Sequence, residues 1–245
     1  MYHNHFSKEK WGKLAICLFC SLFFRYQAFA QNWSLNLGTN FTRFDFKNTS
    51  GQTLAGIKLG AGSSYSLQYA RKLVDTTALL LRVSPTAISI NQRPGLAKLL
   101  SKFYFGGGIQ FNQFNAVGDA VNVAYSYQTD YVGIRGSFQF HQPLYRNLGI
   151  HAGLGLQLNQ LVHGNQWVNN QFLDLSQDQQ FNGPHAMGTY HVGLEQKIVD
   201  GISLTLTYQQ SSSLTPIESN KTSLGLKAST LLIGITYQPL KNNIQ

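Results

Sequence analysis

The stretch GISLTLTYQQ, residues 201–210, alternates with a period of two. Ile202, Leu204, Leu206 and Tyr208 fall on one face; Ser203, Thr205, Thr207 and Gln209 fall on the other. Such alternation, rich in β-branched and aromatic residues, reads as a strand. Its polar face is small and uncharged, whereas a sheet facing water usually sets Lys and Glu there. The pattern therefore suits a barrel wall with lipid outside and small polar groups within. It recurs in residues 33–44, 57–69, 103–111, 132–140, 150–158, 190–198 and 229–237, which with 201–210 makes eight candidate strands.

Composition points the same way. Charged residues make up 12% of the 245 residues, about half the roughly 25% of an ordinary globular chain. Aromatic residues reach 13%, and no segment after residue 30 approaches the roughly 20 apolar residues of a spanning helix. A secreted lipocalin-like or sandwich protein would need a water-facing surface built of Gly, Ser and Gln, which is poorly soluble.

The first residues read as an export signal. Lys8, Lys10 and Lys13 precede the apolar run LAICLFCSLFF, and AFA at residues 28–30 offers a cleavage site. We expect residues 1–30 to be a cleaved signal peptide and residues 31–245 to form one outer-membrane barrel domain. Cys17 and Cys20 both lie in the leader, with Ile16 and Phe19 before them. Lipidation, disulfides and thiolate metal sites are thus not expected. Cleavage removes Lys8, Lys10, Lys13, Arg25 and Glu9 and lowers the formal net charge from +9 to +6. The remaining basic residues are scattered, which speaks against nucleic acid as a partner.

The connections alternate in length. Residues 143–147 and 199–201 read as tight turns; residues 47–53, 115–127, 163–186 and 212–222 read as longer polar loops. This is the up-and-down arrangement of a closed antiparallel transmembrane β-barrel. It gives an all-β fold of eight strands, or ten if residues 73–100 hold an extra hairpin instead of an insertion with a short helix at 95–101. The basic Arg71, Lys72, Arg146, Lys197 and Lys241 gather at the short-turn end, and Asp119, Asp174, Asp178 and Glu218 in the long loops.

Alternation places Arg135, His191, Glu195 and Lys197 in the lumen. Charges buried there need partners, so Arg135, Glu195 and Lys197 are expected to pair with one another or with nearby polar groups. Trp33, Tyr69, Phe140 and Tyr237, near the short-turn ends, form the expected aromatic girdle.

The runs LNLGTNFTRFDFKNTSG, FNQFNAVGDAVNVAYSYQTDYVGIRGSFQF and DGISLTLTYQQSSSL, with a last strand ending in an aromatic, resemble the PorT-like outer-membrane β-barrel domain proteins of Bacteroidetes. The resemblance spans most of residues 33–237 and departs from the family at 73–100 and in the tail QPLKNNIQ. It implies a barrel in the outer membrane and no defined activity.

Chemistry-bearing patterns are sparse. His141, His151, His163, His185 and His191 form no HExxH or compact cluster, so no metal and no cofactor are expected. There is no G-x-S-x-G element, and Ser211, Ser212 and Ser213 read as strand-end residues with no base paired to them. FGGGIQF lies in a strand and lacks the Lys-Ser/Thr of a phosphate loop. The expected role is a non-enzymatic outer-membrane barrel that touches membrane lipids and binds a protein or ligand through its long loops, or serves as an anchor. The alternatives are a lipid-modifying hydrolase or acyltransferase, and a small diffusion channel, against which a filled eight-stranded lumen argues.

Overall fold

A computed structural model describes residues 31–47, 57–73, 98–120, 123–169, 171–177, 183–214, 217–219 and 222–239. The proposed leader 1–30, the residues 74–97 and the tail 240–245 lie outside the described residues. Eight long strands make the wall: β1 (Gln31–Lys47), β2 (Ile57–Lys72), β3 (Phe103–Ala120), β4 (Val123–Tyr145), β5 (Leu148–Val168), β7 (His185–Val199), β8 (Ile202–Ser213) and β10 (Thr222–Tyr237). Two short strands, β6 (Gln171–Asp174) and β9 (Ile217–Ser219), lengthen the rim by pairing with β5 and β10.

Each wall strand pairs antiparallel with the next, and β1 closes on β10 from Trp33 opposite Tyr237 to Lys47 opposite Ser223. Closure leaves no wall strand with an unpaired edge. The wall has eight strands, β2 pairing directly with β3. Of the helix expected at 95–101, a helical turn at 98–100 falls within the described residues. The β7–β8 turn is tight, with Gly201 at φ 83°, a conformation that favours glycine. The β4–β5 turn places Arg146 at φ 36°.

Two polarity patterns run along the same wall. In the lower part, towards the short turns, apolar side chains point outward: Phe105, Ile134, Leu154 and Ile235 are 61%, 61%, 68% and 55% exposed. Their inward neighbours are mostly polar or glycine, such as Gln110, Arg135, Gln157 and Thr236, all buried, with Tyr104 and Leu232 as exceptions. On β3, β4 and β5 this belt covers residues 103–111, 132–140 and 150–158. Nine residues at about 3.3 Å each, tilted by about 40°, span roughly 22 Å along the axis.

Above the belt the pattern inverts. On β1 the outward series Trp33, Leu35, Leu37, Phe41 gives way to Arg43 and Asp45, while inside Asn36, Asn40 and Thr42 give way to Phe44. On β10 the outward Leu231, Ile233 and Ile235 are succeeded by Lys227, and the inward Thr230 by Ala228, Leu226 and Leu224. The inward apolar residues of this upper tier join in one cluster that includes Phe44, Phe114, Tyr131, Leu161, Met187 and Leu226. Phe44 stacks on Tyr127 and Phe114 tilts against Tyr131, with centroids 5.3 and 5.6 Å apart. The upper tier is thus built like a water-soluble barrel, and it plugs the lumen.

This inversion corrects the expected long loop at 115–127. Strand β3 continues to Ala120 and β4 restarts at Val123, paired as far as Ala120 opposite Val123. Likewise β5, β7, β8 and β10 run into the intervals 163–186 and 212–222. These segments read as loops because their outward faces carry Gln113, Asn115, Gln128 and Asp130 in place of the apolar series.

Truncating the plug should be costly. Phe114→Ala is expected to lower unfolding free energy in detergent by roughly 3–5 kcal/mol, the usual cost of removing a buried aromatic ring. Phe105→Ala, on the exposed belt, should cost far less. Equal effects in a denaturant titration would show that the upper tier is not a packed core.

Candidate functional site in the lumen

Below the plug the lumen is filled by layers of hydrogen-bonded side chains. In the layer next to the plug, Thr230 Oγ1 donates to Asn40 Oδ1 at 2.5 Å. Ser64 Oγ and Gln110 Nε2 both donate to Asn112 Oδ1 at 2.8 Å. Asn40 Nδ2 reaches the backbone oxygen of Ser63 at 3.1 Å.

The next layer holds the titratable groups. Arg135 on β4 is 6% exposed and crosses the lumen to β7 and β8. Its guanidinium donates to Gln209 Oε1 and, through Nη2, lies 2.8 Å from His191 Nδ1. Arginine can only donate, so His191 Nδ1 accepts and the ring is protonated on Nε2. His151 Nε2 lies 3.0 Å from Thr207 Oγ1. His141 Nδ1 lies 3.4 Å from Glu195 Oε2, and its Nε2 3.2 Å from Gln139 Oε1. The rings form a column, with centroid separations of 4.4 Å for Tyr104–His141, 5.6 Å for His141–His151 and 5.9 Å for His151–His191.

Glycines on neighbouring strands make room for two of these rings. Gly153 stands opposite His191 and Gly193 opposite His151 in the β5–β7 ladder. A Cβ at Gly153 would meet His191 Cε1 at 2.6 Å, and one at Gly193 would meet His151 Nε2 at 2.5 Å. Each ring therefore occupies the space that a side chain at the facing glycine would take.

The column borders a cavity of about 50 Å³, lined also by Asn36, Gln68 and Thr205. Exposure falls along it, from 27% for the Glu195 side chain and 22% for that of His141 to 6% for His151 and His191. The cavity thus reaches water towards the short-turn end and is closed above by the apolar tier. Among the described residues no three His, Asp or Glu side chains are placed to hold a metal ion.

The four charged or titratable lumen residues read from the sequence part ways here. Arg135 and His191 meet. Glu195 faces the same cavity but pairs with His141. Lys197 is exposed at the rim, 2.6 Å from Asp200, and its ammonium holds that carboxyl below the ordinary value. Arg135 and Glu195 thus pair with nearby polar groups, one of the two arrangements expected, whereas the expected inward position of Lys197 is corrected: near the β7–β8 turn its side chain lies in water beside Asp200. Gln209, His141 and His151 belong to the network and were not singled out, although the same alternation puts all three inward.

Trp33, Tyr69 and Tyr237 share one level on adjacent strands, Trp33 standing opposite both tyrosines, with the Trp33 and Tyr69 rings 5.1 Å apart. Phe140 packs on Phe103 at 5.3 Å in a separate group on β3 and β4.

One serine does have an imidazole partner, against expectation: His185 Nε2 lies 2.8 Å from Ser213 Oγ. Ser213 Oγ also accepts from the Leu226 amide at 2.6 Å and faces the Leu226 carbonyl at 3.1 Å. These contacts lie one step past the last β8–β10 ladder pair, Ser212 opposite Lys227. The hydroxyl completes the backbone pairing where the ladder ends, which is a structural duty.

No family model matches the chain, and no curated relative matches it. Among solved structures it is similar to a major outer membrane protein from Thermus thermophilus, with 11% identity, 86% of this chain and 100% of that one covered, and a TM-score of 0.44. It is similar to the outer membrane protein OprG from Pseudomonas aeruginosa, with 9% identity, coverage of 86% and 96%, and a TM-score of 0.42. It is also similar to Neisserial surface protein A, with 9% identity, coverage of 84% and 96%, and a TM-score of 0.42.

Arg135→Ala should leave the buried Gln209 Oε1 and His191 Nδ1 without their donor and cost roughly 1–3 kcal/mol, the usual penalty for orphaned buried polar groups. Lys197→Ala, at an exposed pair, should cost about 1 kcal/mol or less. Urea unfolding in detergent checks this contrast, and similar costs for the two would contradict the arrangement described.

Proposed function

We propose that this chain is a non-enzymatic outer-membrane protein whose barrel anchors a projecting strand-built rim, and that the rim is its binding surface. The observation that carries this reading is the inversion of polarity along one closed wall. The apolar belt is about as tall as the roughly 25 Å band of known membrane barrels, and in water it would be a far larger exposed apolar patch than soluble monomers tolerate. Arg43, Asp45, Lys227 and Asp130 mark where the wall would leave lipid.

The lumen supports an anchor over a channel or an enzyme. Side chains fill it, the upper tier caps it, and its titratable groups are engaged with one another or with Gln209 and Thr207. The PorT-like resemblance and the leader-like residues 1–30 fit the same location, and we adopt both as part of the proposal. Orientation follows from the connections: the short turns at Arg146–Asn147 and Asp200–Gly201 face the periplasm, and the β5–β6 end around Asn169 faces outward.

On this reading the folded protein partitions with detergent and runs differently on a gel before and after heating. A protein that stays soluble and monodisperse without detergent would contradict it. An epitope inserted at Asn169 should be reached by antibody on intact cells, and one at Asn147 only after the membrane is opened. The reverse labelling would overturn the orientation and the rim as binding surface.

A further inference from the structure

The outer wall carries a groove at the upper edge of the belt. It lies across five strands in two rows fixed by strand register. The upper row is Arg43, Lys227, Ser212 and Gly188, with Leu59 of β2 lining the same end as Arg43; the lower includes Phe41, Ser229, Gln210 and Tyr190. Small residues, Ser229 and Ser212 at its centre and Gly188 beside Tyr190 on β7, hollow out about 320 Å³ between Phe41 and Leu59 on one side and Tyr190 on the other.

The chemistry of the groove is graded along the barrel axis. Its lower edge is apolar and aromatic, continuous with Leu231 and Tyr208 of the belt. Hydroxyl and amide groups follow, with Gln210 Nε2 donating to Ser229 Oγ at 3.3 Å. Two cations lie above. Lys227 Nζ and Arg43 Nε share the single carboxylate of Asp45, at 2.6 and 3.2 Å, which leaves one net positive charge. Both cationic side chains are about 60% exposed.

We propose that this groove is a binding site for a membrane lipid with an anionic phosphate head group. The acyl chains lie down the belt beside Phe41 and Tyr190, and the phosphate meets Arg43 and Lys227. Charge complementarity selects the head group, since a planar guanidinium and an ammonium at head-group depth suit a phosphate. The apolar floor selects a lipid over a free ion. The inference rests on the membrane reading above.

The test reconstitutes the full chain into nanodiscs of phosphatidylcholine with a minority of phosphatidylglycerol and identifies retained lipid by native mass spectrometry. The wild type should retain phosphatidylglycerol over phosphatidylcholine. The double variant Arg43→Gln, Lys227→Gln should weaken that preference roughly tenfold. Ser229→Phe, which fills the groove and keeps both charges, should weaken it similarly, while Lys197→Gln at the far rim should not. Equal retention of the two lipids by the wild type, or an unchanged preference in Ser229→Phe, would overturn the proposal. So would displacement of phosphatidylglycerol by inorganic phosphate alone, which would mark an ion site. A wild-type chain that does not enter nanodiscs at all would overturn the membrane reading itself, and this site with it.

Discussion

The rest of the structure depends on closure of the wall between β1 and β10. Where a strand has no water to bond, every backbone N–H and C=O must pair within the protein, and only a closed ladder does this for a sheet. Once the Trp33–Tyr237 to Lys47–Ser223 register is formed, the outer surface can be apolar over its whole circumference. The same closure fixes a narrow interior that side chains must fill, so inward residues have to be small, or find partners across the lumen, or face a glycine.

Those demands change with height. In the belt, the outside is apolar and the inside gathers the polar groups, which must satisfy one another: Arg135 with Gln209 and His191, Asn40 with Thr230. Above the belt the outside meets water and the inside reverts to packing Phe44 on Tyr127 and Phe114 on Tyr131. One continuous set of strands thus carries two opposite polarity patterns. The upper plug also closes the polar lumen from above.

The belt was legible in the sequence, strand by strand. IHAGLGLQL sets Ile150, Ala152, Leu154, Leu156 and Leu158 against His151, Gly153, Gly155 and Gln157, and the charge deficit of the chain favours the inside-out sense of that alternation over a soluble one. The upper wall was harder to read. Over residues 113–131 the apolar residues Phe114, Ala116, Tyr127 and Tyr131 alternate with Gln and Asp, a soluble-type pattern of opposite sense, and a search for the inside-out pattern passes over it as loop. Partners in the lumen were not legible either. Alternation says that Arg135 points inward, but its meeting with Gln209 and His191 across the lumen depends on the tilt and stagger of the closed wall. Lys197 shows the converse limit: correct parity does not keep a residue inside when the turn begins three positions later.

The central claim is that a single strand crosses from lipid to water within one change of polarity. Site-directed spin labelling along the outward face of β1 tests it most directly, with a cysteine placed in turn at Leu35, Leu37, Phe41, Arg43 and Asp45 in a chain freed of Cys17 and Cys20. In bilayers, collision with oxygen should dominate from Leu35 to Phe41, and collision with a water-soluble nickel chelate should take over at Arg43 and Asp45. Chelate access at Leu35 and Leu37 equal to that at Arg43 would contradict the claim, because the belt would then face water.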